Sequence, residues 1–181
     1  MKPFKEIKKW FENQENLFYL FLIILIVPNV VLCFTEPMPI VAKVCNVLLP
    51  FSIYYMVMSW SRNCGRTFWI LFPFLFFGAF QIVLLYLFGQ SIIAVDMFLN
   101  LVTTNSSEAL ELLDNLIPAI VIVVLLYIPA LAVATVSVIK KRELPELFIH
   151  RERKRARLAM IAGVLSLGAA YLLSLIHISE P

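Results

Sequence analysis

Residues 17–34 read LFYLFLIILIVPNVVLCF, an apolar run without a single charged side chain. Wound as an α-helix at about 1.5 Å per residue, it reaches ~27 Å, close to the roughly 30 Å hydrocarbon core of a bilayer. Blocks of the same character follow at residues 40–60, 67–88, 116–139 and 158–172 onward. The whole chain agrees, with 61% hydrophobic and only 15% charged residues, where a soluble domain carries about 25% charged. Mean hydropathy is +0.89. These values exclude a water-soluble globule. They predict an all-α membrane protein, a five-helix transmembrane bundle over residues 17–172. The connectors total about 80 residues, too few and too scattered for a second water-soluble domain.

Residues 2–16, KPFKEIKKWFENQEN, place Phe4, Ile7, Trp10 and Phe11 at helical spacing with Lys5, Lys8 and Lys9 between them. Such a pattern suits an interfacial N-terminal helix over residues 1–16, lying in the headgroup layer. It is not a secretory signal, because the apolar run behind it is too long and no small-residue cleavage pattern closes it. Thr35-Glu36-Pro37-Met38-Pro39 is a proline-set turn. Residues 61–66 form a short basic loop, 89–115 a polar connector with acids and no Lys or Arg, and 140–157 a strongly basic loop. Fourteen of the fifteen Lys and Arg residues fall on one side of this scheme, and only Lys43 on the other. The positive-inside rule then puts the N-terminus in the cytoplasm and residues 35–39 and 89–115 outside, with the C-terminal end emerging outward.

Across the spans and the basic loops, few side chains offer chemistry. Cys33, Cys45 and Cys64 have no metal or redox spacing and read as small apolar side chains, with a Cys33–Cys45 disulfide as an open alternative. Asn46 and Gln81 suit interhelical hydrogen bonds, Lys43 can snorkel, and the Phe-rich run 68–80 is packing surface. Residues 151–157, RERKRAR, read as a topology anchor on anionic headgroups rather than a nucleic-acid site. Gly163, Gly168, Ala169 and Ala170 offer a small-residue face.

The last nine residues, LSLIHISEP at 173–181, resemble residue for residue the in-frame translation of a transposase sequencing adapter. The expectation is that natural coding sequence stops at about Leu172, that the fifth span is cut short, and that His177 carries no chemistry.

One constellation could bind a ligand. Asn100, Thr104 and Glu108 recur every four residues, and at about 100° per residue they share one face of a continuous helix, joined by Glu111. A carboxylate, a hydroxyl and an amide at a membrane surface suit a zwitterionic lipid headgroup: Glu108 for an ammonium, Asn100 and Thr104 for phosphate or glycerol oxygens. The competing reading is a capping box, Asn105-Ser106-Ser107-Glu108, in which Asn105 starts a new helix and Glu108 returns a bond to its amide.

The stretch Asn100–Ala109, with its TTNSSEA core, resembles the outward signature segment of the lipid A (lipopolysaccharide) phosphoethanolamine transferases, of the sulfatase-like superfamily. The five spans, cytoplasmic N-terminus and interfacial helix match that family over nearly all of residues 1–172. The resemblance implies that Asn100, Thr104 and Glu108 contribute to a donor-lipid site. It implies transfer of phosphoethanolamine from phosphatidylethanolamine to lipid A or another lipopolysaccharide acceptor, at the bacterial inner (plasma) membrane. In the family a periplasmic domain follows the fifth span, carrying zinc and the nucleophile; that catalytic domain is missing here. No catalytic residue and no metal ligand are therefore assigned within these residues, and this fragment alone is expected to be inactive. The alternatives are a stand-alone five-span channel, transporter or assembly subunit, or a related headgroup transferase using another donor. Ionisable residues inside the spans, which a transport path would want, are almost lacking.

Overall fold

The computed structural model describes residue 6, residues 9–88 and residues 106–179, and the side chains of these except at 82, 84–88, 106–116, 119 and 174–179. It consists of helices α1 (Gln14–Thr35), α2 (Ile40–Met58), α3 (Cys64–Ile70), α4 (Phe72–Phe88), α5 (Ser106–Ile139) and α6 (Glu146–Ser179), with no strand among the described residues. Four of them, α1, α2, α5 and α6, contain stretches long and apolar enough to cross a membrane. The protein is an all-α membrane protein.

Residues 9–12 make a helical turn that ends at Asn13, whose amide donates to the Lys9 and Trp10 carbonyls. The Asn13 side chain then accepts from the Glu15 amide at 2.9 Å and caps α1. A cap satisfies an amide the helix cannot, so the chain turns there. The border between the N-terminal segment and the first span accordingly lies at Asn13, not after residue 16, and Gln14 belongs to the span. α1 and α5 continue through Pro28, Pro118 and Pro129, and α2 through Pro50, as bilayer helices can.

The third apolar block is not one helix over 67–88. It begins at Cys64, capped by Asn63, whose side chain accepts from the Arg66 amide at 2.8 Å, and it breaks at Leu71. Pro73 has no N–H to give to Trp69, and the Phe74 and Leu75 amides both turn to the Leu71 carbonyl, at 3.0 and 3.1 Å. α4 on its own has 17 residues, and its apolar described part is Phe72–Gln81.

A larger correction concerns the basic loop expected at 140–157. Only residues 140–145 lie outside helices. α5 ends in a Schellman turn: Lys141 takes φ 49°, its amide bonds Val138, and the Arg142 amide bonds the Ser137 carbonyl at 3.1 Å. α6 starts at Glu146, so the arginine-rich stretch forms its first turns. Glu, Arg, Lys and Ala are all good helix formers, and charge keeps a helix out of hydrocarbon without unwinding it. With 34 residues, α6 is longer than a bilayer crossing needs, and it stays helical through residues 173–179.

α1 is the hub. It packs against α2 on one side and α4 on the other, with smaller contacts to α3 and α5, while α6 lies along α2 and α5 along α3 and α4. The lateral order is α6, α2, α1, α3 with α4, then α5. Phe18, Phe21, Phe68 and Phe148 lie in the core, with Phe21 stacked on Phe68 at 4.2 Å. Two glycines allow the closest approaches: a Cβ on Gly65 would stand 2.5 Å from the Ala134 carbonyl oxygen, and one on Gly163 would stand 2.6 Å from Ser52 Oγ. Ile23, Phe76, Phe77, Leu125 and Leu165 point outward and form an apolar periphery suited to lipid. The Phe-rich run thus divides between core and periphery. Asn46 is the interhelical bonder expected of it: its Nδ2 donates to the Asn29 carbonyl at 2.8 Å and to Cys33 Sγ at 3.4 Å, fixing the antiparallel register of α1 and α2. All three cysteines are free, so Cys33 and Cys45 are not joined.

Candidate functional site

Asn100 and Thr104 lie outside the described residues. Glu108 falls in α5, but its side chain is not among those described. α5 nevertheless locates its backbone. Ser137, near the other end of α5, meets Gln14 at the start of α1. The Ser106 end of α5 therefore lies toward the opposite end of the bundle, the end of the 36–39 turn.

At the basic end, the structure reveals a polar layer built on Glu152. This carboxylate is fully buried. Its Oε1 accepts from Arg151 Nε and Arg155 Nη1, both at 3.0 Å, and its Oε2 accepts a short hydrogen bond from the buried Tyr55 hydroxyl of α2. Tyr19 of α1 also interacts with the carboxylate, and Arg151 lies over the Phe148 ring at 5.3 Å. α6, α2 and α1 thus converge on one charge. A buried carboxylate costs several kcal/mol unless paired, and here both oxygens are engaged. Arg153 instead closes the end of α2, where its Nε and Nη2 donate to the Ser59 and Trp60 carbonyls at 3.0 and 2.7 Å. The cation meets the negative end of the helix dipole and satisfies orphan carbonyls. Arg153 therefore ties α6 to the end of α2, and Arg151 and Arg155 neutralise the carboxylate of their own helix that Tyr55 reaches from α2.

A second cluster lies beside it. The buried Gln14 Oε1 accepts from Ser137 Oγ at 2.6 Å and from Cys64 Sγ at 3.3 Å. Cys64 is fully buried there and packs as a small side chain with a weak S–H donor. The residue 61–63 connector and the 140–145 connector are tied by the Leu144 amide donating to the Arg62 carbonyl at 2.8 Å and by Arg62 Nε donating to the Leu144 carbonyl at 3.3 Å. The ion pairs Arg62–Glu143 and Arg142–Glu12 are partly exposed and add little.

Glu152 is concealed in the sequence because it sits within RERKRAR. A signal exists all the same: Phe148, Ile149, Glu152, Ala156, Ala159 and Gly163 follow helical spacing, so Glu152 falls within a stripe of apolar and small residues. Among the described residues, no group of three or more His, Cys, Asp or Glu could hold a metal ion.

At the other end, a groove of about 520 Å³ runs between α1 and α2, lined by Val30, Cys33, Phe34, Lys43, Val44, Val47, Leu48 and Phe51. Lys43 is the one charged residue on its wall.

No family model, curated protein or solved structure matches the chain.

Proposed function

We propose that this chain is the membrane domain of a phosphoethanolamine transferase of the bacterial inner membrane. The observation that carries the reading is the Asn100–Ala109 stretch with its TTNSSEA core, set between apolar helices. In this reading α3 and α4 together make a third crossing, giving five spans, and the basic end faces the cytoplasm. The 36–39 turn and the Asn100–Glu108 segment face the periplasm. Glu108 receives the donor ammonium, and Asn100 and Thr104 donate to the phosphate or glycerol oxygens of phosphatidylethanolamine. The acceptor is lipid A or another lipopolysaccharide group. The zinc and the nucleophile belong to a catalytic domain following α6, while the membrane part binds and orients the donor.

The donor role is tested in the full-length protein by Glu108→Gln, which keeps side-chain size and some capping capacity but removes the charge. Transfer is expected to fall by about tenfold or more, the loss of roughly 1.4 kcal/mol or more of transition-state binding, with expression and helicity unchanged. Near-normal lipid product by mass spectrometry would overturn the assignment. A transport role gains no support from Glu152, whose charge is already paired with Arg151 and Arg155.

A further inference from the structure

We propose that Arg151 and Arg155, pinned side by side by the buried Glu152, form a discrete site for an anionic glycerophospholipid, with the phosphate on the two guanidinium groups and an acyl chain down the outer face of α6. The site consists of α6 residues and stands whether or not the chain is a transferase.

Cations at a membrane surface ordinarily sample many rotamers, and their pull on anionic lipid is then diffuse. These two are held. Arg151 Nε and Arg155 Nη1 both donate to Glu152 Oε1 at 3.0 Å, so the guanidinium groups converge on one atom. Arg151 also lies over the Phe148 ring. Glu152 is fully buried and cannot turn away, because the Tyr55 hydroxyl of α2 holds its second oxygen. Both cations are thus ordered before any ligand arrives, which is what separates a site from a charged surface.

The pair keeps charge and donors to spare. Two cations against one carboxylate leave a surplus positive charge, and the two side chains stay 55% and 53% exposed. Among the described residues, the Nη groups of Arg151 and the Nε and Nη2 of Arg155 donate to nothing. Glu15 of α1 acts on Arg151 electrostatically without forming a salt bridge to it. Free guanidinium forks match phosphate oxygens, whereas a carboxylate engaged at both oxygens has nothing to give a headgroup ammonium.

Helical spacing supplies the hydrocarbon path. Arg151, Arg155, Leu158, Ala162 and Leu165 fall within about 80° of one face of α6, and Leu158 and Leu165 are each 67% exposed. From Arg155 to Leu165 the stripe runs about 15 Å, half of a hydrocarbon core of roughly 30 Å and so the depth of one leaflet. Arg153, between the two cations, bonds the carbonyl of the exposed Trp60, a residue type that marks the membrane–water boundary. Free phosphate would leave the apolar stripe unused. A zwitterionic lipid would bring its ammonium to a site already in positive excess.

The proposal is tested on the full chain in neutral detergent with dioleoylphosphatidylglycerol, dioleoylphosphatidylcholine or inorganic phosphate. Phosphatidylglycerol is expected to raise the melting temperature and to persist as a one-to-one adduct in native mass spectrometry; the other two are not. Arg151→Gln is expected to lower the adduct about fivefold, and Arg155→Lys, which keeps a cation beside Glu152 but loses the planar fork, about threefold. Lys154→Gln and Arg157→Gln, which remove exposed cations from the same turns, are expected to leave it nearly unchanged. Equal losses in Arg151→Gln, Lys154→Gln and Arg157→Gln would show diffuse attraction and overturn the proposal, as would equal retention of phosphatidylcholine or equal stabilisation by phosphate. If Arg151→Gln fails to fold, Arg155→Lys decides: an adduct as abundant as that of the unaltered chain overturns the site.

Discussion

Glu152 shows how a single charge can organise a membrane bundle. Its carboxylate is held by two guanidinium groups from its own helix and by the Tyr55 hydroxyl from α2. Removing it strands the buried Tyr55 hydroxyl and leaves two half-exposed cations without their partner. Glu152→Ala is therefore expected to cost ~3 kcal/mol, and Glu152→Gln less, because the amide oxygen can still accept from Tyr55. Thermal unfolding followed by helical circular dichroism in detergent checks the order; equal stability of Glu152→Ala and the unaltered chain would refute the clamp. The residue is hard to recognise in the sequence because positive neighbours surround it. Arg151, Arg153, Lys154 and Arg155 make the segment look solvated, whereas the helix turns Glu152 and Ala156 inward and leaves Arg151, Lys154 and Arg155 exposed.

At the scale of elements, contact between α6 and α2 depends on Gly163. Any side chain there meets Ser52 Oγ and the Leu49 backbone, while Gly168, further along the same helix, meets nothing within 4 Å. Gly163→Leu is expected to destabilise by about 1–3 kcal/mol through overpacking and Gly168→Leu to leave the melting temperature nearly unchanged. Comparable losses at both positions would refute the contact at Gly163 as the cause, since helix propensity alone favours leucine over glycine at either site. The apolar helices are legible in the sequence because hydrocarbon imposes a length and a polarity on anything that crosses it. Their ends are less so. Asn13 and Asn63 cap helices within polar segments, Pro73 redirects amides to Leu71, and a lysine rather than a glycine takes the left-handed turn after α5. Each of these is decided by local hydrogen bonding, to which hydropathy is blind. Of the candidate site, the TTNSSEA pattern is visible in sequence, and Glu108 is placed in α5. The Gln14 cluster depends on contacts between helices distant in the chain, and Glu152 shows in its own segment only as the charged member of the apolar stripe from Phe148 to Gly163.

For the whole molecule, the basic end collects Arg62, Arg142, Arg151, Arg153 and Arg155 into one layer, while the 36–39 turn lies at the other end. Membrane-impermeant maleimide, applied to cells expressing a variant without native cysteines, tests the proposed orientation. Met38→Cys is expected to label in intact cells with a permeable outer membrane, and Lys141→Cys only after the inner membrane is opened. The reverse pattern would invert the bundle. The central place of α1 carries a consequence for biogenesis. α1 leaves the ribosome before the other described helices, yet it is the one most enclosed by them. Gln14 is synthesised 123 residues ahead of Ser137, its hydrogen-bonding partner. At about 5–20 residues per second the interval is roughly 6–25 s. For that time Gln14 must wait without Ser137 while α2, α3 and α4 join α1, and the nearly uncharged, apolar surface of α1 is what lets it wait.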